Sequence, residues 1–379
     1  MSESELRRPT VAIAHDYLTQ RGGAERVVLA MAAAFPEATI HTTVYDPEAT
    51  FPEFRDLPIA TSWLDRIGFF RRHHRFALPL LPLAASTMKI DADLVLVSSS
   101  GWAHGFRSTG HKVVYCYSPA RWLYQSRRYL GDNATWTERV ALRLLRPFLV
   151  WWDRRAARSA DAYVAISSIV QDRVLSEYGR TSAVLPAPRP NTVDRPSVPM
   201  PEIVEWLDGH PFELCISRLL PYKNVGTIIE AYAKEPHRRL VVVGRGPMGP
   251  DLRAAAPDNV RLMEDITDGE IAWLYRQSRA LIAISHEDFG LTPLEAASFG
   301  KPSIVLRWGG YIETMIEHVT ALFVEEPSTT ALRDALAQLD VHDWDVDRIK
   351  EHAERYNEAV FVEAIRELVK AHLDGNPPR

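Results

Sequence analysis

Residues 280–307 read ALIAISHEDFGLTPLEAASFGKPSIVLR. A short apolar run, ALIAIS, gives way to a polar loop, a helical segment, and a second apolar run, PSIVLR. The two runs read as buried strands. Joined through a helix, they form a βαβ unit with parallel strands. Thr292 stands at an N-cap position, Pro293 suits the first helical position, and Gly300 ends the helix. Backbone amides around Gly290, Leu291 and Thr292 then point out of a helix N-terminus at a strand's C-terminal end. That arrangement suits an anion such as a diphosphate. Glu287 lies in the preceding loop, eight positions ahead of Glu295. Two readings of Glu295 stay open: contact with a ligand, or the return arm of an S/T-x-x-E capping box with Thr292. Glu287 has no capping role. An acid placed in a phosphate-binding loop favours contact with sugar hydroxyls.

The same alternation runs outward in both directions. TVAIAH (10–15), ATIHTTVY, DLVLVSS, HKVVYCYS and AYVAISS read as strands of a first half. FELCISR, RRLVVVG and VRLM, with the two runs above, read as strands of a second. Between them LPAPRPNTVDRPSVPMP (185–201) is Pro-rich without apolar period and reads as a linker. The expected organisation is a Rossmann-like α/β domain over 1–190, a linker over 191–201 and a second such domain over 202–347. A C-terminal helical stretch fills 348–379. Two such domains should leave a cleft, with ligands outside the strand C-terminal ends.

Three further motifs fall at strand ends. SRLLPYKN (217–224) places Arg218 and Lys223 after FELCISR, where two cations can neutralise a leaving diphosphate; as an isolated pair they read equally as solvated surface charges. DYLTQRGGAERVV (16–28) places Gly22 and Gly23 before a helix, where backbone can approach a phosphate or sugar closely, or simply turn. GRGPMG (244–249) matches G-x-G-x-x-G, and Glu264 lies twenty residues past Gly244. Pro247 and Pro250 interrupt that turn, and the helix left before Pro257 is short for a dinucleotide site. Asp91 and Asp93 form a D-x-D that precedes its strand, which fits strand entry rather than a metal; no metal site is expected.

Composition sets the outer limits. The chain has 379 residues, 46% hydrophobic and 25% charged, with a net charge of −5, so overall charge does not point to nucleic acid. Cys116 and Cys215 lie far apart in apolar runs, which fits a reducing compartment rather than a disulfide framework. MSESELRRPT lacks the apolar core of a signal peptide, and the apolar stretch near Phe76–Ala85 is too short to span a bilayer. A cytoplasmic protein is expected.

Taken together, the GG loop at Gly22 and Gly23, Arg218 with Lys223, the GxGP turn at Gly244–Pro247 and the E-x7-E pair Glu287 and Glu295 resemble the retaining glycosyltransferase family 4, of two-domain GT-B type. The resemblance covers most of the chain. It implies that the C-terminal domain binds a nucleotide sugar and the N-terminal domain most of the acceptor, with the final helix crossing back to the N-terminal domain. It implies that Arg218 and Lys223 hold the diphosphate, Glu287 the donor sugar and Glu295 the ribose. Phe289, Gly290, Leu291 and Thr292 would supply amides. Transfer would retain anomeric configuration without a metal or other cofactor. HDYLTQRGGAERV, SSSGWAHG and YCYSPARWLY resemble bacterial mannosyltransferases of polysaccharide and lipid-linked glycan assembly, so GDP-mannose is the favoured donor. Relatives often carry a histidine where Tyr117 stands here; His104 is a candidate substitute, or an ordinary loop histidine.

Arg121–Arg158 holds nine arginines against three acids, interleaved with Trp122, Tyr124, Tyr129, Trp136, Phe148, Trp151 and Trp152. FFRRHHRF (69–76) is a second cluster. These suit an anionic membrane surface or a lipid-linked acceptor better than nucleic acid; the alternative is core aromatics with solvated arginines. Two rivals remain: a dinucleotide-dependent oxidoreductase using Gly244–Gly249, and a non-catalytic nucleotide-sugar-binding protein of the same fold.

Overall fold

The computed structural model describes residues 9–72, 77, 80–125 and 136–376. The chain divides into two compact units: residues 1–188 with 359–379, and residues 189–358.

The first unit is built on seven parallel strands. They are β1 (Val11–His15), β2 (Ile40–Thr42), β3 (Ile59–Thr61), β5 (Leu94–Ser99), β7 (His111–Cys116), β8 (Ala162–Ala165) and β9 (Ser182–Val184), in the order β3-β2-β1-β5-β7-β8-β9. A separate two-stranded pair joins β4 (Lys89–Ile90) to β6 (Arg107–Ser108). Every residue of β5 is buried, as a strand covered on both faces requires. The helix Gly23–Ala34 buries Val27, Val28 and Met31, spaced so that one face meets the sheet.

The second unit has six parallel strands: β10 (Phe212–Ile216), β11 (Arg239–Val243), β12 (Val260–Met263), β13 (Leu281–Ala283), β14 (Ser303–Leu306) and β15 (Ala321–Val324). Their order is β12-β11-β10-β13-β14-β15. The strand order reverses beside β10, so loops leaving β10 and β13 diverge there and open a crevice at the strands' C-terminal ends.

Two expectations change. The helical stretch from Arg348 is two helices, Val346–Glu354 and Glu358–Leu373. The first stays in the second unit, where Ile349 and Ala353 pack on Ala297. Most of the second lies in the first unit: Phe361 meets Tyr115, and Arg366 donates to the carbonyls of Ala34 (3.0 Å) and Ala33 (3.3 Å). The Pro-rich segment is also no loose tether. Arg189 is buried and donates to Glu354 and to the carbonyl of Ala353 (3.2 Å), while Arg276 binds the carbonyls of Val193 and Arg195.

One buried cation fastens the first unit internally. Lys112 on β7 donates to the carbonyls of His104 (3.0 Å) and Phe106 (2.9 Å) and to Oγ of Ser159 (2.7 Å), which uses all three ammonium protons. Burial pulls its pKa down to about 8, against an opposing pull from Asp161. The folded state therefore holds fewer protons than the unfolded one between about pH 8 and 10.5, and stability rises with pH there. Lys112→Met should cost about 1–3 kcal/mol at pH 7 by stranding the buried acceptors. In urea melts that deficit should widen from pH 8 to 10.5, because only the wild type sheds a burial penalty in that window.

Candidate active site

Arg218 and Lys223 leave the end of β10, and Glu287 leaves the end of the neighbouring β13. Lys223 Nζ bonds Oε1 of Glu287, and both side chains are largely shielded from solvent. Ser285 Oγ donates to the same carboxylate oxygen (3.2 Å) and shares a hydrogen bond with the Tyr311 hydroxyl (3.1 Å). Burial, then the Glu287 charge, pushes the Tyr311 phenol well above its ordinary pKa, so it keeps its proton. Arg218 donates to the Tyr222 hydroxyl (3.1 Å). Asn224, at φ 55°, ends the short turn Pro221–Lys223, and its Nδ2 donates to the carbonyl of Ile284 (2.8 Å). That bond ties the β10 loop to the β13 loop and fixes the spacing of the three charged groups.

The helix after β13 starts two residues earlier than the sequence pattern indicates. Gly290 is the N-cap at φ 93°, and Leu291–Ser298 form the helix. A Cβ on Gly290 would lie 2.4 Å from the Tyr311 ring, so position and conformation both demand glycine. Thr292 is thus inside the first turn and does not cap, and the capping box with Glu295 is absent. Glu295 instead accepts from the Tyr275 hydroxyl (2.8 Å) and from Oγ1 of Thr192 (3.2 Å). Burial and then the Glu295 charge hold the Tyr275 phenol protonated. Phe289 is buried, and its carbonyl accepts from Thr314 Oγ1 (3.2 Å). A real capping box occurs elsewhere, between Thr267 and Glu270; its T-x-x-E signal precedes an apolar run and is readable in the sequence.

The other candidates separate. Gly244 and Gly246 serve loop packing: a Cβ on either would strike backbone at Ser217 or Leu219, and the following helix, Gly249–Ala255, has seven residues. Arg253 pairs with Glu264 (2.8 Å), the acid that a dinucleotide ribose would need. Asp91 accepts from Thr109 and Asp93 from Thr10, as strand-entry residues do. Gly22 is the N-cap of Gly23–Ala34, and a Cβ there would meet the Glu25 carboxylate at 2.6 Å. His104 is buried, with Nε2 3.1 Å from Asp153, which removes it as a surface acceptor contact. Tyr117 is partly exposed; its hydroxyl donates to the carbonyl of Ala24 (3.2 Å) and shares a hydrogen bond with Ser98 (2.9 Å).

Two features of the first unit escaped the motif search. Asp16, at the end of β1, accepts from the amides of Ser100 (2.6 Å), Trp102 (2.8 Å) and Ala103 (2.6 Å) and from the hydroxyls of Ser100 and Ser99. It shapes the SSSGWAHG loop. Beside it, buried His15 reaches Ser98 Oγ (3.0 Å) and lies 3.7 Å from Glu25. Burial disfavours charge on His15, but Glu25 and Asp16 outweigh it and raise its pKa. The only available signal was that HD follows an apolar strand directly.

Two α/β units, each on a doubly wound parallel sheet, define the GT-B class. The crystal structure of Anabaena HepE in complex with UDP-glucose superposes with a TM-score of 0.69 at 17% identity, covering 96% of this chain and 100% of that one. Residues 21–188 match the model described as Glycosyltransferase Family 4, and residues 200–369 match that described as Glycosyl transferases group 1. D-rhamnosyltransferase WbpZ of Pseudomonas aeruginosa is 29% identical over 241 residues, 58% of this chain and 60% of that protein. The GDP-mannose-dependent alpha-(1-6)-phosphatidylinositol monomannoside mannosyltransferase of Mycolicibacterium smegmatis is 26% identical over 211 residues, 48% of this chain and 55% of its own. The matches thus span 60% or less of these curated relatives' length.

The glycine and threonine at the helix entrance should behave oppositely. Gly290→Ala should lower stability by about 1–3 kcal/mol, from left-handed strain and the Tyr311 clash. Thr292→Ala should change it by less than about 0.5 kcal/mol, whereas loss of a true cap costs about 1 kcal/mol. Chemical denaturation of the two variants decides between the two helix starts.

Proposed function

We propose that this chain is an enzyme that moves a hexose from a nucleotide sugar to a glycan or lipid-linked acceptor, with retention at the anomeric carbon. The observation that carries this reading is the Lys223–Glu287 pair at the switch point of the second sheet, with Arg218 on the same loop after β10 as Lys223. A cationic pair there suits a diphosphate, and a carboxylate beside it suits sugar hydroxyls. In this reading the donor diphosphate takes over the Lys223 ammonium that Glu287 holds in its absence, which releases Glu287 to the sugar. Glu295 sits in the second turn of the helix that follows the Glu287 loop and takes the ribose; amides of Phe289 to Thr292 complete the anion site. Gly22 and Gly23, at the start of the helix Gly23–Ala34, allow a phosphate or sugar to come close to the backbone there.

The chemistry is a front-side displacement. The bond from the anomeric carbon to the diphosphate oxygen breaks, and the departing diphosphate takes the proton of the acceptor hydroxyl. The acceptor oxygen bonds the carbon on the face the diphosphate leaves. Arg218 and Lys223 stabilise the charge that develops on the leaving group. GDP-mannose is the favoured donor, supported by the mannosyltransferase relative and by the resemblance of the N-terminal motifs. A lipid-linked acceptor places the work at the cytoplasmic face of a membrane, with the protein attached peripherally. Gly244 and Gly246, given over to packing on Ser217 and Leu219, favour no dinucleotide rival.

A thermal-shift panel of GDP, UDP, ADP and their sugars tests the donor, since ligands that bind the native state raise its melting temperature. GDP and GDP-mannose should give the largest shifts. Arg218→Ala and Glu287→Ala should each lower donor turnover by about 100-fold or more. Enhancement of NADH fluorescence without any nucleoside diphosphate shift would overturn the reading. Donor binding without hydrolysis or transfer would instead support a non-catalytic binder.

A further inference from the structure

The basic, aromatic stretch from Arg121 to Arg158 separates into two populations. Trp102 and Trp122 stack at 5.0 Å, and Trp152 is buried with Nε1 donating to Ser86 Oγ (2.9 Å). Trp102 and Trp152 are core groups, and half-buried Trp122 lies against the first of them. Arg127, Arg128, Tyr129 and Asp132, together with His73–Phe76 of the second cluster, lie outside the described residues, as do the side chains of Trp136, Glu138 and Arg139.

The helix Trp136–Arg158 carries the second population. Leu149, Trp152 and Ala156 recur at three and four residues and are buried. Leu144, Phe148 and Trp151 recur at four and three on a separate stripe about 110° round the helix, and are 75%, 52% and 60% exposed. A helix that had only to cover its own sheet would carry polar groups there. Arg143, Arg155 and Arg158 are exposed around this apolar stripe, and Arg154 pairs with Glu177 (3.4 Å). Between Arg143 and Arg158 the one acid, Asp153, is buried and bound to Tyr124 (2.7 Å) and His104. Among the described side chains, the outward face therefore joins large apolar groups to positive charge, with no acid on it to oppose that charge.

We propose that this helix docks on an anionic bilayer, with Leu144, Phe148 and Trp151 entering the headgroup boundary and Arg143, Arg155 and Arg158 meeting lipid phosphates. The inference rests on the membrane-face reading above and names the element that makes the contact. Apolar burial and headgroup attraction act together in such helices, and salt weakens the second.

The full chain is sedimented with vesicles of phosphatidylglycerol and phosphatidylcholine, and with phosphatidylcholine alone. Binding is expected to the anionic vesicles only, and the variant L144S/F148S/W151S should bind about tenfold or more weakly. Failure of the wild type to bind, or undiminished binding of the variant, overturns the proposal. If the variant does not fold by circular dichroism, brominated lipids serve as the readout on the wild type: they should quench its tryptophan emission, and no quenching overturns the proposal. A wild-type dimer that this variant dissolves, without vesicle binding, would assign the face to a second copy and also overturn it. Nucleotide-sugar thermal shifts run in parallel. Shifts retained without vesicle binding sink the docking surface alone; vesicle binding without shifts sinks the donor reading alone.

Discussion

Lys223 and Glu287 bring opposite charges together across the point where the second sheet reverses its strand order. The surrounding structure makes that meeting possible. Parallel pairing of β10 with β13 brings their C-terminal ends side by side. Asn224 bonds one loop to the other through the carbonyl of Ile284. Gly290 lets the chain turn into its helix directly against Tyr311, and Tyr311 in turn holds Ser285 beside the carboxylate. A charged pair this well shielded is costly when one partner is removed. The pocket thus keeps its polarity before any ligand arrives, because each charge is held by the other and by fixed hydroxyls.

The central strands were legible because burial on both faces leaves a mostly apolar run. LVLVSS, HKVVYC, FELCI and RLVVV are such runs, broken only by a few polar residues such as Lys112 and Glu213, and each lies inside its sheet. The strands that sequence reading missed are β3, β9 and β15, at the edges of the two large sheets, and the two-residue strands β4 and β6, which pair only with each other. IAT and SAV are three residues long, and only their pairing partner distinguishes them from loop. The same logic explains the site. Arg218, Lys223 and Glu287 could be grouped from sequence because parallel strands send all their exits to one end of the sheet.

Glu295 shows where that logic stops. Its spacing from Thr292 fits a local capping box, but its partners come from 20 and 103 residues away. Local pattern fixes which bonds a side chain can make nearby; it says nothing of a tyrosine delivered by another helix. The helix start followed from Gly290, whose left-handed conformation answers to the Tyr311 ring in a later segment. Asp16 was overlooked for a related reason. Its five donors lie more than eighty residues downstream, on the last residue of β5 and the loop after it.

The helix Glu358–Leu373 gives the chain a nested order of assembly. The second unit ends at Glu358, while the first still lacks the helix that carries Phe361 to Tyr115 and Arg366 to the carbonyls of Ala33 and Ala34. During synthesis from the N-terminus, all thirteen strands of the two large sheets are made before the group that closes the first core. The earliest part of the chain is therefore the last to be finished. Until the final helix arrives, Tyr115 lacks the ring of Phe361 that packs on it, and apolar surface left open in this way during synthesis is a route to aggregation.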